Sequence, residues 1–311
     1  MKNVGSVYDE SQVYTYIKMF SVSALRSAAV RCIYSIFYNF FYRQFRAALL
    51  HHIPVSRVDH PLDQKIPFVP SWVVIYVDFV SFWIRMIAFL LRRYGRKAYT
   101  PVRDIVESIA KLYAFAAETY QKNLSTTNRP FYIIRPHFFF IHLLDPHLMC
   151  VPSLHVMLVI FTYTKFAAVL RSFGEAENYT AQIEEMKRGA LAITHAILFI
   201  KQHSVNCIPA AMYAMTCFDA ALFPPEDVES FAALLFDKEP AASPAPPEHS
   251  RKNSRKRPSS APRTKLPAAD ASEIKNHIIS LYRKFLAEGK TAQQWNQPLL
   301  KFLRQMPAFN Q

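Results

Sequence analysis

Glycine is scarce in this chain, with five in 311 residues, and it stands against 25 phenylalanines and 16 tyrosines. So stiff and aromatic a composition argues against a flexible, disordered nucleic-acid binder. Cysteine is scarce too. Cys32, Cys150, Cys207 and Cys217 contain no Cys-x2-Cys pair, which leaves no zinc site to propose. Acid is outnumbered: 23 Asp and Glu face 37 Lys and Arg, for a formal charge of +14. Partners of opposite sign are implied, whether nucleic acid, an anionic membrane surface or phosphorylated substrates. Residues 1–20 mix charged and polar groups without a clean apolar run, so no cleavable signal peptide is expected. Mean hydropathy is only +0.02, low for a protein that crosses a membrane repeatedly. A polar final third dilutes that average.

What is present is a series of apolar segments. Six of them, roughly 28–50, 71–91, 101–121, 153–171, 187–202 and 203–222, approach the length of about 20 residues that a spanning helix needs. Two carry several charges: Arg31, Arg43 and Arg46 in the first, and Arg103, Asp104, Glu107, Lys111 and Glu118 in the third. A charge at mid-bilayer costs roughly 2.5–3.5 kcal/mol, so these two read equally as interfacial amphipathic helices. The expected fold is all-α: a multi-pass transmembrane helical bundle of about six helices, with a basic linker and short C-terminal helices.

Three short motifs lie beside those segments. Lys122 and Arg129-Pro130 form Lys-x6-Arg-Pro, Pro152 to His155 form Pro-Ser-x-His, and His203 opens the last apolar run. In this order they resemble the type 2 phosphatidic acid phosphatase superfamily, which includes lipid phosphate phosphatases, vanadium haloperoxidases and lipid phosphotransferases. The resemblance covers roughly residues 28–222. Leu154 in place of the usual Gly, and the stretch Asp63–Pro70, resemble the transferase-like branch. The third motif departs from the family pattern Ser-Arg-x5-His-x3-Asp: Ala196, Ile197 and Cys207 stand at the Ser, Arg and Asp positions.

The resemblance implies metal-independent phosphoryl chemistry with no cofactor. His203 would attack phosphorus and carry a phosphohistidine, and His155 would protonate the leaving alkoxide. Lys122, Arg129, Ser153 and Lys201 would bind the phosphate oxygens. The family Asp accepts the second ring proton of the nucleophilic histidine. Here Cys207 or the side-chain oxygen of Asn206 would have to serve, or a Cys150–Cys207 disulfide would tie the motifs together. The implied function is an integral-membrane lipid phosphate phosphatase or phosphotransferase. The alternative is a catalytically impaired member that binds lipid or scaffolds partners. His137, His142 and His147 lie between the motifs, and their i, i+5 spacing puts them on no single helical face, so they read as interfacial or structural. Asp78 reads as paired with another helix.

Orientation adds an independent constraint. Arg92, Arg93, Arg96 and Lys97 fill one short loop, and Arg171, Lys187 and Arg188 bracket another. If both are cytoplasmic, residues 51–70, 122–152 and 201–203 share the opposite, non-cytoplasmic face, as one active site requires. Residues 1–27 then form a cytoplasmic segment, 28–222 the membrane core, 223–268 a Pro/Ala/Ser-rich linker and 269–311 short amphipathic helices. Residues 251–265 hold Arg251, Lys252, Arg255, Lys256, Arg257, Arg263 and Lys265 with no acid, a composition suited to anionic lipid headgroups. No aromatic side chain interleaves with them, so nucleic acid is not expected as a partner. Asp270 and Glu273 read as a capping pair for a helix over 271–288 that Gly289 ends. A second helix, 291–305, presents Trp295, Leu299, Phe302 and Leu303 on one side and is bent at Pro298. The sequence names neither the lipid nor an oligomeric state.

Overall fold

The structure, a computed structural model, describes residues 5–237 and 266–309. The basic cluster at 251–265 lies outside the described residues. Among the described residues the fold is helical apart from one short strand pair. In chain order the helices are α1 (Gln12–Ser21), α2 (Ser23–Ile36), α3 (Arg43–Leu50), α4 (Val73–Val77), α5 (Phe79–Tyr94), α6 (Tyr99–Tyr120), α7 (Pro136–Leu144), α8 (Leu154–Ser172), α9 (Thr180–Phe199), α10 (Cys207–Phe218), α11 (Pro225–Ala233), α12 (Ala268–Gly289) and α13 (Gln297–Gln305). A π-helical stretch, Phe37–Tyr42, joins α2 to α3 without a break. The strands β1 (Val55–Arg57) and β2 (Leu124–Thr126) pair in parallel, with Val55 opposite Leu124.

α8 is the axis of the bundle. Its sequence is apolar on every side, a pattern that demands burial all round, and it packs against α5, α6, α9 and α10. At 1.5 Å per residue it is about 28 Å long, so its two ends define two separate loop clusters. At the C-terminal end Gly174 turns the chain with φ +70, and Phe173 packs on Tyr94. The N-terminal residues come to this same end, where Ser6 donates to Glu185 and Glu10 pairs with Arg92. At the N-terminal end of α8, β1 and β2 bring residues 54–58 and 124–126 together, and Ser125 bridges onward to Met149. Asp63 reaches Val205 there. The loops 51–70, 122–152 and 201–205 therefore share one end of the molecule.

Among the described residues two stretches are long and apolar enough to cross a membrane: Pro70–Tyr120, which contains α4 to α6, and Leu154–Ser172, which is α8. The other expected spans do not meet that test. α10 is apolar but only 12 residues long, about 18 Å of helix against a core of about 30 Å. α9 opens on a polar turn, and Glu107 of α6 pairs at the surface with Arg31 of α2.

The C-terminal helices pack on the protein's own core. α12 lies against α10 and α11. α13 buries Leu299 and Leu303, and Trp295 stacks on Phe115 at 3.8 Å. Beyond α13, Arg57 and Phe309 exchange backbone hydrogen bonds with Pro307 and Val55, so the chain's end joins the strand pair. Pro298 lies in the first turn of α13 and starts that helix rather than bending it. Asp270 and Glu273 do not cap α12. Both turn to Lys65, and Pro267 occupies the cap position. Gly289 is explained by close approach: a Cβ there would lie 2.6 Å from the Tyr213 hydroxyl oxygen. Asp78 pairs with Arg85 two turns along, both guanidinium contacts at 2.9 Å, and not with another helix.

Candidate active site

The second motif is held by its surroundings before it presents any chemistry. Ser125 Oγ accepts the Val151 N–H at 2.7 Å, and the Tyr120 hydroxyl donates to the Pro152 carbonyl. Ser153 then occupies the N-cap of α8 with extended backbone, yet its hydroxyl makes no capping bond. Instead Ser153 Oγ lies 3.4 Å from His203 Nε2. His155, in the first turn of α8, is stacked on Tyr76 at 4.6 Å and packed against Phe79 at 4.3 Å. Its Nδ1 lies 3.3 Å from the same His203 Nε2.

His203 is placed by the end of α9. Lys201 adopts a left-handed conformation (φ +55), and the N–H groups of Gln202 and His203 both turn back to the Ile197 carbonyl at 2.9 and 3.1 Å. Such a reversal satisfies carbonyls that the helix end would leave bare. The residues from Asp63 to Val69 form the bed for this loop. Asp63 Oδ1 accepts Val205 N–H at 2.8 Å, its Oδ2 accepts His60 N–H at 2.7 Å, and Val69 N–H donates to Phe199 O at 2.7 Å. Burial pushes the Asp63 carboxyl above the usual carboxylate range, against the pull of the hydrogen bonds from Ser204, Val205 and His60.

The four phosphate-binding candidates fall in different places. Ser153 is in the site. Arg129 stands at its edge, donating to Gln202 Oε1 at 3.3 Å and to the Asp145 carbonyl at 3.2 Å. Lys122 is not brought to the histidines: its ammonium is exposed and donates to Gln294 Oε1 at 2.6 Å. Lys201 sits beside His203 in sequence, but its ammonium is taken by the carbonyls of Asp63 and Ile66. A left-handed backbone swings it away from the ring that follows.

Neither replacement for the family Asp holds His203. Its Nδ1 is buried and has no hydrogen-bond partner among the described residues. Asn206 is used elsewhere, its Oδ1 lying 2.8 Å from His277 Nε2 and its Nδ2 donating to Val58 O at 3.1 Å. It fastens α12 to the site loop. Cys207 and Cys150 are free thiols in contact with each other, not a disulfide.

A small cleft opens at His155 and His203, and much of its wall was not legible in the motifs: Phe40, Gln44, Asp145, His147 and Cys150. Of the interfacial and structural roles open to His147, its position fits the structural one: it is 6% exposed. Its Nε2 lies 2.8 Å from Thr127 Oγ1 and 3.6 Å from Cys150 Sγ, and Asp145 Oδ2 stands 4.0 Å from Nδ1. Burial alone would raise the Cys150 pKa, but hydrogen bonds from Cys207 and His147 and the imidazolium charge outweigh it and hold the thiol low. His147 is raised in turn, because Cys150 and Asp145 favour its charged form more strongly than burial opposes it. Gln44 is fully buried, with Oε1 on Leu148 N–H at 3.1 Å and Nε2 unpartnered among the described residues. No sequence signal marks it, since it lies in the first charged segment, far from every motif. Among the described residues there is no cluster of three or more His, Cys, Asp or Glu able to hold a metal ion.

The arrangement is a buried imidazole with a second imidazole and a hydroxyl at hydrogen-bond range, a guanidinium at the edge and a thiol pair alongside. Comparison with known proteins adds no relative: no family model, curated protein or solved structure matches this chain.

Proposed function

We propose that this protein transfers or hydrolyses a phosphoryl group on a lipid at the membrane, without a metal, through His203. The observation that carries the reading is the convergence of Ser153 Oγ and His155 Nδ1 on His203 Nε2 within 3.4 Å. A phosphomonoester repels nucleophiles by its own charge, so the site must offer donors to its oxygens and a proton to its leaving group. Nε2 of His203 attacks phosphorus, and the P–O bond to the lipid breaks as His155 delivers a proton to the alkoxide. Ser153 and the Arg129 guanidinium stabilise the nonbridging oxygens. Water, or the hydroxyl of a second lipid, then takes the phosphoryl group from His203. The multi-pass topology and the non-cytoplasmic placement of the site belong to this proposal. Their support is the cations Arg92, Arg93, Arg96 and Lys97 in one short connection, and Arg171, Lys187 and Arg188 around the next, at the end of α8 away from the histidines.

A second reading has its own support. The unpartnered Nδ1 of His203, and the commitment of Lys122 and Lys201 to other groups, fit a protein that keeps the site and binds lipid phosphate without turnover. One experiment separates the two. Phosphate release from short-chain phosphatidic acid is followed in excess chelator for wild type, His203→Ala and Cys207→Asp. Release by wild type that is lost in His203→Ala supports the enzyme. Silence from wild type with release by Cys207→Asp supports the disarmed site. Release that survives His203→Ala rejects the mechanism.

A further inference from the structure

The large apolar side chains that remain exposed are not scattered. Among the described residues they fall in three stretches, 13–50, 74–80 and 131–144, and none lies beyond Leu144. Isolated surface apolar residues are ordinary; contiguous ones mark an interaction face. Here the exposure is high, with Leu49 at 78% and Ile134 at 80%. Most of them lie outside the stretches that hydropathy selects. α8 is 72% buried inside the protein, whereas, Val74 and Val80 apart, the exposed surface belongs to α1, α2, the π-helical stretch, α3, α7 and the residues just ahead of α7.

Charge decides what this face meets. From Ser11 to Val58 there is no Asp or Glu, while Lys18, Arg26, Arg31, Arg43 and Arg46 are present. From Thr119 to Leu144 there is again no acid, with Lys122, Arg129 and Arg135 present. Outward tyrosines accompany the cations: Tyr34, Tyr38 and Tyr42 stack in a row, and the Arg43 guanidinium lies 4.9 Å from the Tyr38 ring centre. Apolar, aromatic and cationic groups, with the nearby acids Asp78 and Glu107 each paired to an arginine, match the boundary of an anionic bilayer, where rings sit at headgroup level and cations meet phosphates. A second copy of the same face would set cation against cation.

The face also reaches the cleft. Phe40 and Gln44 line it from the stretch whose outer side exposes Phe37 and Phe45, and Asp145 lines it one residue beyond α7. We propose that the outer sides of α1–α3 and α7 form the surface through which this protein sits in an anionic bilayer, with the His155–His203 cleft opening at that surface. The surface stands on exposure and charge; only its use for substrate rests on the lipid-phosphate reading.

The test uses the full chain with Phe45→Trp, Phe140→Trp or Lys290→Trp, the last an exposed position on the C-terminal side. Each variant is mixed with vesicles of phosphatidylglycerol and phosphatidylcholine, with and without brominated acyl chains, and with vesicles of phosphatidylcholine alone. The expected result is flotation with the anionic vesicles, weaker flotation with the neutral ones, and loss of the added Trp emission to brominated chains at 45 and 140 but not at 290. Added emission at 45 and 140 that aqueous iodide quenches and bromolipid does not would overturn the proposal. So would shielding from both quenchers, which means protein covers the face, and so would equal flotation with neutral and anionic vesicles. None of these readings needs turnover, so they fail or succeed apart from the phosphate-release assay.

Discussion

His203 Nε2 and His155 Nδ1 face each other at 3.3 Å, with the two rings edge to face at 66°. Two ring nitrogens at that distance are within hydrogen-bond range, so the structure sets His155 directly beside the nitrogen proposed to attack. In the proposed mechanism His155 is the group placed to deliver the leaving group's proton, and its removal tests that role. His155→Ala should lower phosphate release from an alkyl phosphate by about 10² to 10⁴, the usual contribution of a positioned acid. With p-nitrophenyl phosphate, whose leaving group needs no proton, the loss should be small. Equal losses on both substrates would remove His155 from the acid role.

The loop that carries His203 depends on Asp63. Asp63→Ala leaves the N–H groups of Val205 and His60 without their acceptor, at a cost of about 1–3 kcal/mol for each buried donor. Thermal unfolding should show a lowered Tm, and phosphate release measured well below that Tm should fall further, because His203 loses its support. Full activity in a folded Asp63→Ala variant would show that this bed is dispensable.

His277 makes stability depend on acid. Burial, and next the nearby His60, lower its pKa to about 4 from an ordinary 6.5. The unfolded chain therefore binds a proton that the folded chain refuses. Its contribution is complete above pH 6.5 and is lost as the pH falls towards about 4. Tm measured across this window should drop in wild type and drop less in His277→Gln, which keeps a donor for Asn206. A parallel fall in both proteins would assign the pH dependence to other groups.

Gly189 is required by packing. A Cβ there would lie 2.1 Å from the Tyr8 hydroxyl oxygen and 2.7 Å from a Phe82 ring carbon. Gly189→Ala should cost about 1–3 kcal/mol of stability, as overpacked cores do. Tyr8→Phe in the same chain should return part of it, since one of the two clashes goes with the hydroxyl. Chemical denaturation of the two variants reads this directly.

Motif order and loop charge carried much of the site in the sequence. Pro152–His155 and His203 do converge, and the loops expected to share one end of the bundle do so. What was misread shares one cause: where a flexible or branching contact ends is decided by packing. Lys122 and Lys201 have the right charge and position in the chain, but one ammonium goes to Gln294 and the other to main-chain carbonyls. Asn206 is spent on His277, a residue of α12. Gln44 and Phe40 enter the cleft because a π-helical stretch folds against it, and no local pattern announces that.

Composition and periodicity by themselves indicated a mostly helical chain with several long apolar segments and a large excess of cations, whereas the two site histidines were picked out by likeness to a family's motifs. Only the tertiary structure decided which cations face the cleft, that Cys150 meets both Cys207 and His147, that α12 and α13 close onto the core, and which apolar faces stay uncovered. Each of those follows from contacts between segments distant in sequence, and such contacts exist only once the bundle has packed.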